Sequence, residues 1–174
     1  MNEVILRLLQ MLDIPSSYGP VFALLGDWTR FDPLPPKSPI VAHIPNFARF
    51  HLKIILLPYE DVQLFNDNFL VLLYNQVTQT ILNQYWYVDG DTQWELAALE
   101  CGVEYGRFDE QRYKHGFFSR TIAQYVDKSL LQTVPEDRIE LKIIQSWKKM
   151  GHLIDPRSKM QTIRQYLVYC QENV

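Results

Sequence analysis

The stretch YGRFDEQRYKHGFF, Tyr105 to Phe118, decides how this chain is read. It lies between two runs with helical apolar spacing. Yet it holds five aromatic residues, Tyr105, Phe108, Tyr113, Phe117 and Phe118, beside the cations Arg107, Arg112 and Lys114 and the acids Asp109 and Glu110. A connection that only faces water has no use for so many rings. Each large apolar side chain that is fully covered stabilises a fold by about 1.5 to 3 kcal/mol, so the rings are expected to pin the connection onto the helices it joins. Gly106 and Gly116 permit backbone turns that a β-carbon would obstruct. The charged residues are left outside, where loop charges ordinarily face water.

Outward from this stretch, the text is helical on both sides. Upstream, Val62, Phe65, Phe69, Leu72, Leu73, Val77, Thr80 and Ile81 form one apolar stripe along a helix of about twenty residues. Asp89-Gly90 turns the chain, and Asp91 or Thr92 is expected to cap a second helix carrying Trp94, Ala97, Ala98, Cys101 and Tyr105. Downstream, a third helix begins near Pro135 with Glu136 and Asp137 in its first turn. It points Ile139, Ile143, Ile144 and Trp147 inward and stops at Gly151. The last opens on DPRS, with Asp155 as cap and Pro156 as first helical residue, and carries Met160, Ile163, Tyr166, Leu167 and Cys170. Helices with one apolar side each require one another, which predicts a bundle over residues 59–174.

Residues 1–58 have a different texture. EVILRLLQML, residues 3–12, reads as a helix with Val4, Leu8 and Met11 on one line and Ile5, Leu9 and Leu12 beside it, ended by Pro15. PVFALLG, Pro20 to Gly26, is rich enough for a buried strand. The proline-dense residues 31–46 must be loop, with at most a brief strand at Ile40 to Ala42. In RFHLKIILLP, Phe50, Leu52, Ile54 and Leu56 alternate with His51, Lys53, Ile55 and Leu57, the two-residue period of a strand. The fold class expected for the whole chain is α+β, mostly α.

Composition removes several classes of function. The 174 residues are 47% hydrophobic and 21% charged, an ordinary globular balance. A net charge of −3 supplies no global basic field, so nucleic acid is not the expected partner. No apolar run approaches the roughly 20 residues of a spanning helix, and the N-terminus has no signal-peptide pattern. Cys101 and Cys170 read as buried free thiols and not as a metal pair. There is no phosphate-binding glycine loop, H-E-x-x-H helix or G-x-S-x-G elbow, and His43, His51, His115 and His152 are scattered. Asp89 with Asp91 reads as turn and cap, since the oxygen ligands of a calcium loop do not continue after them. Residues 29–39 read as a rigid surface loop in preference to a proline-rich ligand. No cofactor, no metal and no catalytic residue is therefore expected.

The order of these segments resembles the FERM domain of the ezrin, radixin, moesin and merlin proteins. In that family an alanine-rich LASYAVQ helix is followed by YGDF, a charged stretch, HKSGYL and a segment leading to a helix with a tryptophan. Here ELAALECGVEYGRF (Glu95 to Phe108) is followed by YKHGFF (Tyr113 to Phe118) and by KIIQSWKK with Trp147. RFHLKIILLPYEDV (Arg49 to Val62) is similar to the end of the family's first lobe and the PED after it, and QTIRQYLVYCQ (residues 161–171) to the closing helix of its middle lobe. The resemblance implies a partial ubiquitin-like first lobe at 1–58, lacking its opening hairpin, and an entire middle lobe at 59–174 that is an acyl-CoA-binding-protein-like helical bundle. It implies that the third lobe is missing, as in a fragment or a shortened isoform.

What the resemblance implies for function is a non-enzymatic adaptor at the plasma membrane or cell cortex, on the cytoplasmic side. Its partners would be membrane-protein tails, small GTPases or cytoskeletal proteins. Weak contact with acidic phospholipid is expected through Arg107, Arg112, Lys114 and Arg120, extended by Lys148 and Lys149, each cation contributing about 1 kcal/mol near an acidic surface. Asp109 and Glu110 weaken that patch. A second cluster, Lys148, Lys149, His152, Arg157 and Lys159, competes for the role, although the first two also suit the negative end of their helix. The alternative is a bundle that binds a small acyl-CoA-like ligand, which would need a core pocket with convergent polar groups.

Overall fold

The computed structural model describes residues 2–26, 50–55 and 62–174. The strand expected at Ile40 to Ala42, the proline-rich loop and the turn before Val62 lie outside the described residues. The chain packs as two compact units, Met1–Gln76 and Val77–Val174.

In the first unit, helix α1 runs Asn2–Met11 and buries Ile5 and Leu9, while Met11 is 82% exposed. The helix does not wait for Pro15. Asp13 adopts a left-handed φ of 55°, so that its amide donates to Gln10 and the Ile14 amide donates to the Leu9 carbonyl at 2.9 Å. Those two bonds close the last turn and satisfy carbonyls that would otherwise be left over. After a 3-10 turn at Ser16–Val21, strand β1 (Phe22–Leu25) pairs antiparallel with β2 (His51–Ile54), Phe22 opposite Ile54 and Leu25 opposite His51. All four β1 side chains are buried. The alternation read in β2 is imperfect, because Lys53 is also buried, and burial lowers its pKa. The Gln76 side-chain amide receives a bond from the Ile54 amide at 3.0 Å and donates to the Ile54 carbonyl at 2.7 Å, a side chain doing the work of a strand neighbour.

Helix α2, Asp67–Leu82, belongs to both units. It is shorter than its apolar stripe suggests. Val62 and Phe65 are buried as expected but belong to a 3-10 turn and a bend, because Asn66 accepts bonds from the amides of Asn68 and Phe69 and starts the helix there. Such a cap satisfies amides that have no intrahelical partner. Tyr18 stacks on Phe69 at 4.7 Å, and Phe22 meets the same ring edge-on at 5.9 Å.

The second unit is built around α3, Gly90–Tyr105, which packs against α5 (Glu136–Lys149) and α6 (Lys159–Asn173). Two caps differ from expectation. Asp89, and neither Asp91 nor Thr92, caps α3 by accepting from both their amides and from the Thr92 hydroxyl. Ser158, and not Asp155, caps α6, and Pro156 precedes the helix, because the Asp155 carboxylate is taken by the Arg157 amide. A six-residue helix, α4 (Lys128–Thr133), has no counterpart in the periodicity. It is held by Asp127, whose carboxylate accepts from the Ser129 and Leu130 amides and from the side chains of Gln84 and Gln93. Burial opposes that charge, but the bonds win and hold Asp127 down at about 2. The core is filled by Leu96, Leu99, Ile139, Ile143, Trp147 and Tyr166, all essentially inaccessible, with the free thiols Cys101 and Cys170 buried among the helices as expected.

Candidate binding face

The 105–118 connection is a nest of rings around Trp147. Tyr113 lies 4.8 Å from the indole, Phe108 meets it edge-on at 5.4 Å, and Tyr105 and Phe118 approach at 6.0 and 6.3 Å. Phe117 bridges Tyr105 and Tyr113 at 5.2 and 4.9 Å. Edge-on pairs of this kind add about 0.5 to 1.5 kcal/mol beyond their burial. Gly106 (φ 80°) and Gly116 (φ 88°) sit where side-chain-bearing residues are strained. At the first of these, the chain leaves α3 and exposes the Gly106 carbonyl to the Trp147 indole N–H, which donates to it at 2.9 Å. The Tyr113 hydroxyl donates to the Tyr105 carbonyl at 3.1 Å.

Glu140 is the anchor that sequence reading missed. Its buried carboxylate on α5 accepts from the Gly116 amide at 2.8 Å and the Phe118 amide at 3.1 Å, while His115 lies 2.9 Å away on the exposed side. The signal was present: Glu140 stands two helical turns before Trp147, on the same face. A carboxylate is the group that can receive two amides at once. Glu140→Ala is expected to cost about 2 to 3 kcal/mol, since it strands the buried Phe118 amide and takes the charged acceptor from the Gly116 amide. Chemical denaturation checks this, and a loss below about 0.5 kcal/mol, the level of an ordinary surface change, would contradict it.

The expected cations stand in different surroundings. Arg107 donates from Nε to the Ile154 carbonyl at 2.9 Å, which fixes its guanidinium at the end of α3. Lys148 pairs with Glu110 at 2.6 Å and lies 4.9 Å from the centre of the Phe108 ring. The hydrogen bond from Lys148, helped by its charge, holds Glu110 below its ordinary value. Lys149 turns to the other side of α5 and pairs with Glu95, which also accepts from the Tyr169 hydroxyl. Burial would raise Glu95, yet those bonds and the lysine charge hold it below its ordinary value. Arg112 lies 5.7 Å from the centre of the Tyr113 ring, and Lys114 and Arg120 are exposed on the same connection. Arg107 and Lys148 thus share an open cleft with His152, whereas Lys149 lines a separate one with Asp91, Trp94 and Lys142.

Fold and site together describe a helical module with an aromatic-pinned, charge-bearing connection on its surface. The chain belongs to the FERM central domain family, which it matches over residues 60–173. Domains of this family are in general non-enzymatic interaction modules, typically of cytoplasmic, membrane-associated proteins. The chain is also similar to the crystal structure of the FERM and C-terminal domain complex of Drosophila Merlin, with a TM-score of 0.75 and 16% sequence identity. That match covers 98% of this chain and 58% of the other, so the present sequence spans little more than half the length of its structural relative. The match bears out the mostly helical α+β fold, a partial first lobe followed by the helical middle lobe. Among the described residues, no helix is long and apolar enough to cross a membrane.

Proposed function

We propose that this chain is a non-catalytic adaptor that binds protein partners, of the class of membrane-protein tails, small GTPases or cytoskeletal proteins. It also touches acidic phospholipid weakly, at the cytoplasmic face of the plasma membrane or the cell cortex. Residues 1–58 act as the partial ubiquitin-like lobe and 59–174 as the binding lobe. The observation that carries the reading is the 105–118 connection, whose rings and Glu140 anchor present Arg112 and Lys114 outward from a fixed base, with Arg120 exposed just beyond it. Arg107 and Lys148 flank the patch on one side, whereas Lys149 lies on the other side of α5, paired with Glu95, and does not extend it. The filled bundle interior weighs against an acyl-CoA-like ligand, which would need a lined core pocket.

Cosedimentation with phosphoinositide-containing vesicles tests this. Binding is expected at low salt and should fade as the screening length shortens to about 8 Å at physiological ionic strength. Arg112→Glu with Lys114→Glu should abolish it while leaving the thermal midpoint unchanged. A wild-type chain that ignores such vesicles even at low salt, or a reversed variant that binds them equally, would reduce the patch to a solvated face.

A further inference from the structure

The cleft shared by Arg107, Phe108, Trp147, Lys148, Gly151 and His152 has an open volume of about 540 Å³. Two of its three basic side chains are placed against main-chain carbonyls: Arg107 donates to Ile154, and the His152 Nδ1 lies 3.0 Å from the Lys149 carbonyl. The third, Lys148, lies over the Phe108 ring. Phe108, itself half-buried, packs edge-on against the buried Trp147, so the aromatic floor is backed by the core. A rigid apolar floor under a cationic rim suits an acidic residue next to an aromatic or aliphatic one.

The chain supplies its own stand-in for such a guest. The Glu110 carboxylate, though not part of the cleft lining, already pairs with the rim residue Lys148 at 2.6 Å, and the Glu110 side chain is 77% exposed. An ion pair this open is worth little to folding and can be exchanged for another carboxylate. We propose that the cleft is a docking site for an acidic peptide segment of a protein partner, whose carboxylate replaces Glu110 on Lys148 and meets Arg107, while a neighbouring apolar side chain covers Phe108. This rests on the adaptor reading above and names the partner chemistry of one part of its face. A flat acidic membrane suits the cleft less well. Asp109 and Glu110 stand on the same connection and would face its headgroups directly, whereas a single inserted side chain meets only the rim.

The test is fluorescence anisotropy of the full chain with a labelled Glu-Glu-Phe-Glu-Glu peptide, compared with the same peptide carrying lysine for glutamate. The acidic probe should bind at least about tenfold more tightly than the basic one. Lys148→Glu should weaken it by about tenfold or more, and Glu110→Gln, which removes the internal competitor, should strengthen it about threefold. Lys148 and Glu110 are exposed, so both variants should fold; Arg107→Ala, which also frees the Ile154 carbonyl, is read only alongside its melting curve. Arg112→Glu with Lys114→Glu should leave peptide binding within about twofold of wild type, because those residues act through the general field and not through the cleft. Failure of the wild type to bind the acidic probe, weaker binding by Glu110→Gln, or equal loss in the Arg112/Lys114 variant would overturn the cleft. Vesicle binding judges the lipid patch separately: its loss with peptide binding intact sinks the patch alone, and the converse sinks the cleft alone. Vesicle binding abolished by Lys148→Glu with no peptide binding at all would assign the cleft to a lipid surface instead.

Discussion

Trp147→Ala is expected to destabilise the chain by about 3 to 5 kcal/mol, enough to unfold a domain of ordinary stability. The indole is fully buried and is the ring on which Tyr105, Phe108, Tyr113 and Phe118 converge. Its N–H also holds the Gly106 carbonyl where the chain leaves α3. Truncation therefore opens a cavity under the whole connection and frees a covered carbonyl in the same step. Trp147→Phe separates the two effects, since it keeps much of the packing and loses the bond, at about 1 to 2 kcal/mol beyond the volume change. Thermal and urea melts decide. A midpoint for the alanine variant within a few degrees of wild type would mean that the cluster does not hold the connection.

The second large effect is a stability that falls as pH rises. Glu100 lies on the buried side of α3, and burial pushes its carboxyl up to about 8, aided by the nearby charge of Glu104 and opposed by the hydrogen bond from Tyr166. The folded pKa stands above the unfolded one, so the folded chain holds a proton that the unfolded chain releases. The stabilisation is complete below the ordinary value of 4.5 and is lost as pH rises through about 8. At about 1.4 kcal/mol per pH unit, the ceiling on this loss is about 5 kcal/mol. Glu100→Gln keeps a neutral acceptor for Tyr166 and removes the titration. Between pH 5 and pH 8, on the order of the window just set, the wild type should lose stability and the glutamine variant should stay nearly flat, becoming the more stable of the two at the alkaline end. Parallel pH profiles for the two proteins would show that Glu100 is not the group responsible.

Periodicity made the helices and their buried faces legible. Ile139, Ile143 and Trp147 on α5, and Ile163, Tyr166, Leu167 and Cys170 on α6, are buried as their spacing indicates, because a 3.6-residue repeat leaves few choices of face. The ends were less legible. Asp89 and Ser158 took the caps from nearby candidates, since several oxygen-bearing residues stood within reach and only the path of the backbone selects among them. Helix α4 was missed because six residues cannot display a repeat, and what holds it is Asp127 reaching Gln84 and Gln93 far away in sequence. At the candidate site the aromatic pins could be read from composition alone. The sorting of the cations could not. Whether Lys149 faces the patch or Glu95, and whether Arg107 meets Lys148, depends on contacts between helices that no local pattern encodes.

These contacts make the 105–118 connection a fixed platform and not a tether, and the binding role proposed for it depends on that. Hydrogen exchange at the amides of Gly116 and Phe118 tests it most directly, because both donate to the buried Glu140 carboxylate. If the platform is fixed, the two amides exchange as slowly as those of α3 and α5, opening only with the bundle itself. Exchange at the rate of an open loop, with α3 and α5 still protected, would contradict the platform and leave the cations of this face without a base.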